Sequence, residues 1–501
     1  MIFTLLRKLH RTRLLTLVGL YRLLEAIWTT GVNLMALLRI AAKLHPERIA
    51  VIDDQEELTY SKLWKQAEAV AVGLQRDCGI QPRQRVAIAT RNHAAAIKAI
   101  FAVSRLGADL FLVNPEMSAD QIRALEHQLQ FDYYIYDPEL TPIVDDLSLG
   151  HKAIPTYHPS SNSVDRMSVM PPSATPLRKV KTGKVVVMTG GTTGQPKPAS
   201  RKPSLFDFLP PFIALLSQIH LDRYRTVYIA TPIYHGFGLA ALLIGVTLGA
   251  QQYFTRRFDA GHACDLISQD NIEVITLVPL MLRRMLNQNA QALSSLQRIL
   301  TGGAALRPAL AQATLEQLGP VLFNLYGTSE AGFCILADPD LLQRQPDSIG
   351  KPITGVQVQI QPDGPSSKGQ LCIRSAWSAG AKGWIETGDL AYRDGEGNIF
   401  LCGRVDDMIV SGGENVYPLE LENVLLQHPG IEAAVVLGIP DPEFGQRLKA
   451  IIIPKPAENL EQATVLAWLK PRVARYQMPA VIEFRQALPY TSLGKLNRKA
   501  L

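Results

Sequence analysis

A nine-residue stretch rich in glycine and threonine, residues 189–197, constrains this chain more than any other feature. It reads T-G-G-T-T-G-Q-P-K and follows the β-branched run at 185–187, which is typical of a buried strand. Glycines bring backbone N–H groups close to an anion, threonine hydroxyls donate to its oxygens, and lysine adds positive charge. The sequence therefore predicts a phosphate-binding loop after a strand, formed by Thr189, Gly190, Gly191, Thr192, Thr193, Gly194 and Lys197.

This loop differs from the P-loop pattern G-x-x-x-x-G-K-[ST]. Pro196 separates the last glycine from Lys197, and no hydroxyl residue follows the lysine. We therefore do not expect a GTPase or an ordinary ATPase.

Four further motifs follow the loop in chain order. Residues 326–330 read Y-G-T-S-E, 387–389 read T-G-D, 403–418 read G-R-V-D-D-M-I-V-S-G-G-E-N-V-Y-P, and 489–498 read P-Y-T-S-L-G-K-L-N-R. Mg²⁺ prefers one or two carboxylates together with phosphate oxygens, so Glu330 is the candidate metal ligand. The two oxygens of Asp389 suit a vicinal diol such as that of ribose.

Together the motifs resemble those of the adenylate-forming superfamily, which includes acyl-CoA synthetases, firefly luciferase and peptide-synthetase adenylation domains. Gly190 stands where the family usually has serine, which removes one hydroxyl contact to phosphate. The resemblance implies an α/β fold, with a large domain of β-sheets flanked by helices and a small α+β domain on a hinge. We expect a basic amphipathic extension at 1–45, an AMP-binding domain at 46–403 and a mobile C-terminal domain at 404–501.

The resemblance also assigns roles to single residues. It implies that Lys495 is the catalytic lysine, that Tyr326 stacks on adenine and that Asp406 is the hinge residue. Nucleotide contacts are further implied for Gly303, Ala304, Gly327, Thr328, Ser329, Asp389 and Arg404. Ser411, Gly412 and Gly413 are assigned to the side that receives CoA.

The implied chemistry has two steps. A carboxylate attacks the α-phosphorus of ATP and releases pyrophosphate, and the developing charge requires cations and directed donors, with no covalent catalyst. A thiol then attacks the acyl-adenylate after the small domain has rotated about its hinge, as it does in the family. ATP, Mg²⁺ and CoA are thus the expected cosubstrates and metal.

The acid is predicted from residues 232–238, P-I-Y-H-G-F-G, which resemble the P-x-x-H-x-x-G element that places His235 at the carboxylate pocket. No carboxylate lies between Ile233 and Leu243, so a substrate ammonium would be buried unpaired and amino acids are disfavoured. Glycines at 236, 238, 302 and 303 leave room for an unbranched tail. The sequence S-G-G-E-N-V-Y-P at 411–418 resembles that of fatty acyl-CoA synthetases more than that of peptide-synthetase domains. We therefore expect a medium- or long-chain fatty acid first and an aryl acid second.

Three alternatives stay open. The acyl group could pass to a carrier-protein thiol, since no carrier domain is fused to this chain. A degenerate, non-catalytic binder is motivated by Gly190, whereas retention of Lys197, Glu330, Asp389, Arg404 and Lys495 argues against it. A luciferase-like oxygenase has no separate support.

The first 48 residues carry eight basic and two acidic side chains, a net charge of +6 that equals the charge of the whole chain. The rest is therefore balanced, and the basic pI is no argument for nucleic-acid binding. Leucines interleaved with these basic residues predict one or two amphipathic helices, too short in apolar length to span a membrane. We expect peripheral membrane contact through residues 1–40. The alternatives are packing on the enzyme's own surface or on a second subunit in a homodimer.

Five scattered cysteines without metal-ligand spacing fit small core residues and a reducing, cytoplasmic setting.

Overall fold

A computed structural model describes residues 16–147, 152–158, 162–171, 177–190, 196–201, 208–362, 368–379, 383–411, 414–442, 444–456, 458, 460–490 and 496–501. The chain divides into two compact units. Unit 1 comprises Met1–Pro346, Ile353–Val356 and Ser375–Lys382, and unit 2 comprises Asp347–Pro352, Gln357–Arg374 and Gly383–Leu501.

Unit 1 alternates helices and strands. Its helices are α1 (Leu17–Thr30), α2 (Leu34–Leu44), α3 (Tyr60–Arg76), α4 (Ala94–Arg105), α5 (Ala119–Leu129), α6 (Thr141–Asp146), α7 (Val164–Ser168), α8 (Leu209–Ala214), α9 (Gly236–Leu248), α10 (Ala260–Gln269), α11 (Pro279–Asn289), α12 (Pro308–Leu318) and α13 (Pro339–Arg344). Its strands are β1 (Ile49–Ile52), β2 (Glu57–Thr59), β3 (Arg85–Ala89), β4 (Asp109–Val113), β5 (Tyr133–Tyr136), β6 (Ala153–Pro155), β7 (Val185–Gly190), β8 (Pro196–Arg201), β9 (Thr226–Ile229), β10 (Gln251–Tyr253), β11 (Val274–Leu277), β12 (Arg298–Gly302), β13 (Leu322–Thr328) and β14 (Gly332–Ala337).

The strands of unit 1 lie in two sheets. One runs in the order β14-β13-β12-β11-β9-β10-β1-β2, and the other in the order β6-β5-β3-β4-β7-β8. Neighbours are parallel except for the pairs β13–β14, β1–β2 and β7–β8. Parallel strands need helical crossovers, which cover both faces and bury the strands between them. Accordingly, every residue of β5 and of α4 is buried.

Unit 2 is built of antiparallel strands and two α-helices. These are β15 (Ser348–Pro352), β16 (Gln357–Pro362), β17 (Gly369–Arg374), β18 (Ile385–Arg393), β19 (Ile399–Arg404), β20 (Ile409–Ser411), β21 (Glu414–Val416), α14 (Pro418–Leu426), β22 (Ile431–Asp441), β23 (Gly445–Pro454), α15 (Gln462–Leu469) and β24 (Val481–Phe484). One sheet has the order β16-β17-β18-β19-β15, and the other β21-β20-β23-β22 with β24 parallel to β23. Both helices pack on the second sheet through Leu421, Leu425, Val465 and Leu469. The predicted combination of a large α/β domain and a small α+β domain is confirmed.

The local predictions agree with the structure at most positions. Apolar runs at 85–89 and 110–113 predict strands, and the pattern from Ala94 to Leu106 predicts a helix. All three are present, and all five cysteines are buried. The serine and proline content of residues 157–176 predicts a surface loop, and this prediction is wrong at α7. There Ser163 accepts a hydrogen bond from the Arg166 N–H as the helix N-cap, and Val164 and Met167 are fully buried. The serine and proline content of this stretch favoured a loop prediction, although Val164 and Met167 are apolar residues that the core buries.

Two helices open the described chain. Helix α2 lies in the main core of unit 1, with Leu34, Met35 and Leu38 buried. Helix α1 packs through small residues, so that Ala26 contacts a cluster with Ala36 and Ile40 of α2. Among the described residues no helix is long and apolar enough to cross a membrane. The amphipathic helices predicted near the N-terminus are thus present from residue 17 onward, and residues 1–15 lie outside the described part.

Candidate active site

Four parallel strands of unit 1 bring several of the predicted site residues to one edge. Strands β9, β11, β12 and β13 are consecutive neighbours and run in the same direction. Their carboxyl ends therefore lie side by side, which is where ligands bind in open α/β sheets. The segments that leave this edge contain His235 after β9, Gly303 and Ala304 after β12, and residues 326–330 at the end of β13.

The Y-G-T-S-E motif forms the end of β13 and the turn into β14. The Thr328 hydroxyl accepts a hydrogen bond from the Ala331 N–H at 3.0 Å, and the Glu330 carbonyl accepts one from the Ala379 N–H at 2.6 Å. Gly327 lies at a register shift, where an added Cβ would stand 2.1 Å from the Gly332 carbonyl oxygen. The backbone is thus fixed on both sides of the turn, and the Glu330 side chain is exposed at its tip.

The turn after β12 is built around two glycines. Gly302 is paired with Leu325, and a Cβ on it would lie 2.6 Å from the Leu325 carbonyl oxygen. Gly303 has φ +76°, a left-handed conformation that glycine adopts without strain. The edge of the Phe237 ring approaches the Cβ position of Gly302 to 3.5 Å, which brings the start of α9 to the end of β12.

His235 is the N-cap residue of α9. Its backbone N–H donates to the Pro232 carbonyl at 3.1 Å, its own carbonyl accepts from the Leu239 N–H at 2.9 Å, and its ring lies 4.5 Å from the Tyr234 ring. The side chain is half-buried on the residues that enter the helix. The imidazole is therefore held at the same strand edge as the Gly302 turn.

Asn92 ties the two sheets of unit 1 together beside this edge. Its side-chain amide donates to the carbonyls of Ile229 (3.3 Å) and Thr231 (3.0 Å) and accepts from the Ile233 N–H (2.8 Å). All three partners lie in the segment that leads from β9 to His235. Asn92 was not predicted from the sequence. A polar residue just after a buried strand such as β3 is, however, a recognisable sign of a residue at a binding edge.

A buried carboxylate anchors the segment that carries Asn92. Asp137 accepts hydrogen bonds from the His93 ring (2.7 Å), the Arg91 N–H (2.9 Å) and the Thr156 hydroxyl (2.8 Å). Burial alone would raise the pKa of Asp137, but these donors outweigh it, so that its pKa lies below the ordinary value. Asp137 therefore stays ionised and holds residues 91–93 at the strand ends.

The predicted phosphate loop is closed by a backbone pairing. β7 and β8 are antiparallel, with Thr189 opposite Lys197 and Gly190 opposite Pro196. Gly191, Thr192, Thr193 and Gly194 lie outside the described residues. The strand expected before the loop is present, and the loop begins and ends at paired positions.

In unit 2 the T-G-D motif faces Arg404 across a strand pair. Asp389 on β18 is opposite Arg404 on β19, and the guanidinium Nη1 donates to Oδ1 of Asp389 at 2.9 Å. The guanidinium also covers Gly388, where a Cβ would meet Nη2 at 2.7 Å. Thr387 fixes the turn, because its hydroxyl accepts from the Asp389 N–H and donates to the Leu371 carbonyl. Two predicted ribose contacts are thus neighbours.

The segment that contains Lys495 is anchored at both ends. Lys495 itself lies outside the described residues, but Tyr490 and Leu496 form an antiparallel bridge and the Asn497 N–H donates to the Pro489 carbonyl at 2.9 Å. Arg498 fixes the far end. Its side chain contacts Glu422 (2.8 Å), the Val436 carbonyl (2.8 Å) and Asp407 (3.6 Å).

The segment predicted to contain the hinge follows β19 directly. Asp406 lies in the single 3₁₀ turn Val405–Asp407, with its carboxylate 3.8 Å from Arg404. Ser411 ends β20 and is buried, and Gly412 and Gly413 lie outside the described residues. Arg498 thus reaches the residue next to Asp406, a contact that the motif spacing did not predict.

The residues present fit a magnesium ion held largely by substrate. Within the described ranges no group of three or more His, Cys, Asp or Glu side chains forms a cage. Mg²⁺ that is bound through phosphates needs only one or two carboxylates. Glu330 is exposed on a fixed turn and stays the predicted ligand.

Comparison with known proteins places the chain. The sequence pattern of AMP-binding enzymes matches residues 38–382, and that of the AMP-binding enzyme C-terminal domain matches residues 420–495. The chain is 29% identical to a feruloyl-CoA synthase from Amycolatopsis sp, over 91% of this chain and 95% of that protein. It is also 29% identical to a 2-succinylbenzoate–CoA ligase from Staphylococcus aureus, over 92% and 98%.

A solved structure has a similar fold. The amide bond synthetase from Marinactinospora thermotolerans superimposes with a TM-score of 0.83 at 24% identity, over 93% of this chain and 98% of that one.

Proposed function

The chain belongs to the family of AMP-binding enzymes, and we propose that it is an AMP-forming acid–CoA ligase. It converts a carboxylic acid and ATP to an acyl-adenylate and pyrophosphate, and then transfers the acyl group to the thiol of CoA. The observation that carries the proposal is the strand edge of unit 1, which gathers His235, residues 302–304 and residues 326–330.

In the first step a carboxylate oxygen attacks the α-phosphorus, and the bond from that phosphorus to pyrophosphate breaks. Lys495 stabilises the charge shared by the carboxylate and the α-phosphate, and backbone N–H groups of residues 189–197 hold the departing pyrophosphate. Glu330 would hold a Mg²⁺ ion, which would supply positive charge to the phosphate oxygens. Asp389 accepts from the ribose hydroxyls beside Arg404.

In the second step the thiol attacks the acyl carbonyl, the thiol proton is lost, and AMP leaves with the electrons of the acyl–phosphate bond. The thiol approaches along the path that Lys495 occupies in the first step, so Lys495 is not required in the second. Ser411, Gly412 and Gly413 form the CoA side. A carrier-protein phosphopantetheine thiol is the alternative acceptor, because its reacting group is the same.

We propose an aromatic acid as the substrate, ahead of a fatty acid. Relatives that cover almost the whole chain are named for feruloyl and 2-succinylbenzoate substrates. The Phe237 ring beside Gly302 offers a flat apolar surface. Helix α9 contains no charged residue, which argues against a substrate ammonium.

The test is pyrophosphate release from ATP and Mg²⁺ with ferulate, 2-succinylbenzoate, benzoate and fatty acids of increasing length, each with and without CoA. Release that is greatest with an aromatic acid and turns over only with CoA supports the proposal. A maximum of pyrophosphate release at one fatty-acid length would show that the substrate is a fatty acid and not an aromatic acid. Release that stops after one equivalent despite CoA would indicate a carrier-protein acceptor.

No release with any acid, together with AMP binding by calorimetry, would indicate the non-catalytic binder that Gly190 motivates. Direct detection of acyl-adenylate by mass spectrometry separates that outcome from slow product release.

We also propose that residues 1–40 contact a membrane peripherally through the part that precedes α2, because α2 itself is buried in unit 1. The support is their excess of basic residues and the apolar residues that α1 exposes. A homodimer formed through the same segment is the competing arrangement.

A further inference from the structure

Helix α1 has two apolar faces, and within the described residues only one of them is covered. Gly19, Ala26 and Thr30 are buried and repeat at helical spacing toward α2. On the opposite side, Leu17, Tyr21, Leu24 and Trp28 recur at intervals of four, three and four residues and are 89%, 62%, 67% and 78% exposed. We call these four residues the outer stripe.

The outer stripe lies outside the matched family. The AMP-binding enzyme pattern begins at residue 38, after the last residue of α1. The catalytic fold therefore does not require the stripe. A Trp, a Tyr and two Leu exposed along one helix face are costly in water unless something covers them.

The charged residues near the outer stripe indicate which kind of partner it binds. Arg7, Lys8, Arg11 and Arg13 precede it without any acidic residue among the first 24 positions. The first acidic side chain, Glu25, is paired with Arg22 at 2.8 Å and with Arg39 at 2.9 Å. Hydrogen bonding to Arg22 leads the effects that hold the pKa of Glu25 below its ordinary value. The sequence before α1 is thus basic, and the carboxylate of Glu25 is neutralised by two arginines. Both features favour attraction to an anionic surface.

Building on the peripheral contact proposed above, we propose that α1 lies in the interface of an anionic lipid bilayer with the outer stripe inserted. Trp28 and Tyr21 have the amphipathic rings that settle at the headgroup level, and Leu17 and Leu24 enter the acyl boundary. The positive charge of Arg7, Lys8, Arg11 and Arg13 adds electrostatic attraction to the anionic headgroups. A second copy of the chain would bring this positive charge against itself.

The experiment is co-sedimentation of the full chain with phosphatidylcholine vesicles and with vesicles that also contain phosphatidylserine. The test variant is Leu24→Ser with Trp28→Ser, which leaves the inner face of α1 intact. The matched control is Val169→Ser with Phe444→Ser, since both side chains are exposed elsewhere, at 73% and 41%. We expect strong binding only with phosphatidylserine, a loss of at least about tenfold in the test variant and no change in the control.

A second variant tests the charge. Replacing Arg7, Lys8, Arg11 and Arg13 by Gln should weaken binding by about tenfold or more and reduce its salt dependence. Equal sedimentation of parent and both variants would overturn the proposal. So would a parent that ignores vesicles but elutes as a dimer that Leu24→Ser with Trp28→Ser dissociates.

Vesicle binding is measured without ATP or acid and is therefore independent of the ligase assay. A chain that sediments with lipid yet releases no pyrophosphate would retain the membrane face and lose the proposed function. Pyrophosphate release without lipid binding would have the opposite meaning.

Discussion

The strand-edge site of unit 1 and the ribose and lysine segments of unit 2 are held by different forces. In unit 1, Gly302 and Gly327 bring backbone carbonyls within 2.6 Å and 2.1 Å of where a side chain would begin. In unit 2, ion pairs between side chains fix the site segments. Asp389 is paired with Arg404, and Glu422 is paired with Arg498. A close-packed backbone allows a single arrangement, whereas ion pairs that keep one partner partly exposed contribute little to the free energy of unfolding.

The difference indicates what each region is built to do. Substitutions in unit 1 should act on folding, because its geometry comes from steric fit. Substitutions in unit 2 should act on individual reaction steps and leave stability almost unchanged.

The largest expected effect is that of Lys495→Ala. Loss of the cation should lower acyl-adenylate formation on the order of 10²–10³-fold and spare thioester formation from supplied acyl-adenylate. Rapid-quench assays of the two half-reactions measure this, with the exposed Lys470→Ala as the control in the same unit. Equal loss in both half-reactions would remove Lys495 from its assigned role.

Gly327→Ala tests the backbone-held region. The new methyl group would meet the Gly332 carbonyl oxygen, so we expect a loss of about 3 kcal/mol in stability and a lower thermal midpoint. Gly395→Ala, which has no neighbour within 4 Å of the added Cβ, should leave the midpoint nearly unchanged. A folded Gly327→Ala protein with an unaltered midpoint but impaired turnover would contradict the steric explanation.

Asp389→Asn tests the charge-held region. The variant keeps the shape but loses the ionic partner of Arg404 and the charged acceptor for ribose, so the KM for ATP should rise about tenfold. The thermal midpoint should stay within experimental error, because the pair is partly exposed. Steady-state kinetics and thermal melts check both, with exposed Asp265→Asn as the control. A large fall in the midpoint would erase the contrast between the regions.

The smallest effect is expected for Arg498→Ala. Its contacts with Glu422, Val436 and Asp407 fix the backbone three residues after Lys495, so adenylate formation should fall about fivefold while the second half-reaction is retained. Arg498→Lys should recover part of the rate, and the exposed Arg475→Ala should match the parent. Equal slowing of both steps would mean that Arg498 serves only the fold.

Local pattern predicted much of the architecture. The order of β3, α4 and β4 could be predicted because these buried elements are largely apolar segments with polar residues at their ends. Motif order predicted the family. Helix α7 was missed because two buried side chains, Val164 and Met167, outweigh the surrounding serines and prolines.

Long-range contacts could not be predicted from one sequence. Asn92 bonds to carbonyls 137 and 139 positions later, and Arg498 pairs with Glu422 76 positions earlier. Spacing says nothing about which strands become neighbours, so the approach of the Phe237 ring to Gly302 required the structure.

The connection between α1 and α2 affects how the protein is made. The Val32 carbonyl accepts a hydrogen bond from the Thr182 hydroxyl, 150 positions later and just before β7, and the Leu34 N–H donates to Ser104. On the ribosome the first two helices therefore emerge long before their partners. At about 5–20 residues per second, the wait for residue 182 lasts on the order of ten seconds. During that time the apolar residues that α2 buries in the finished core lack the later segments that cover them.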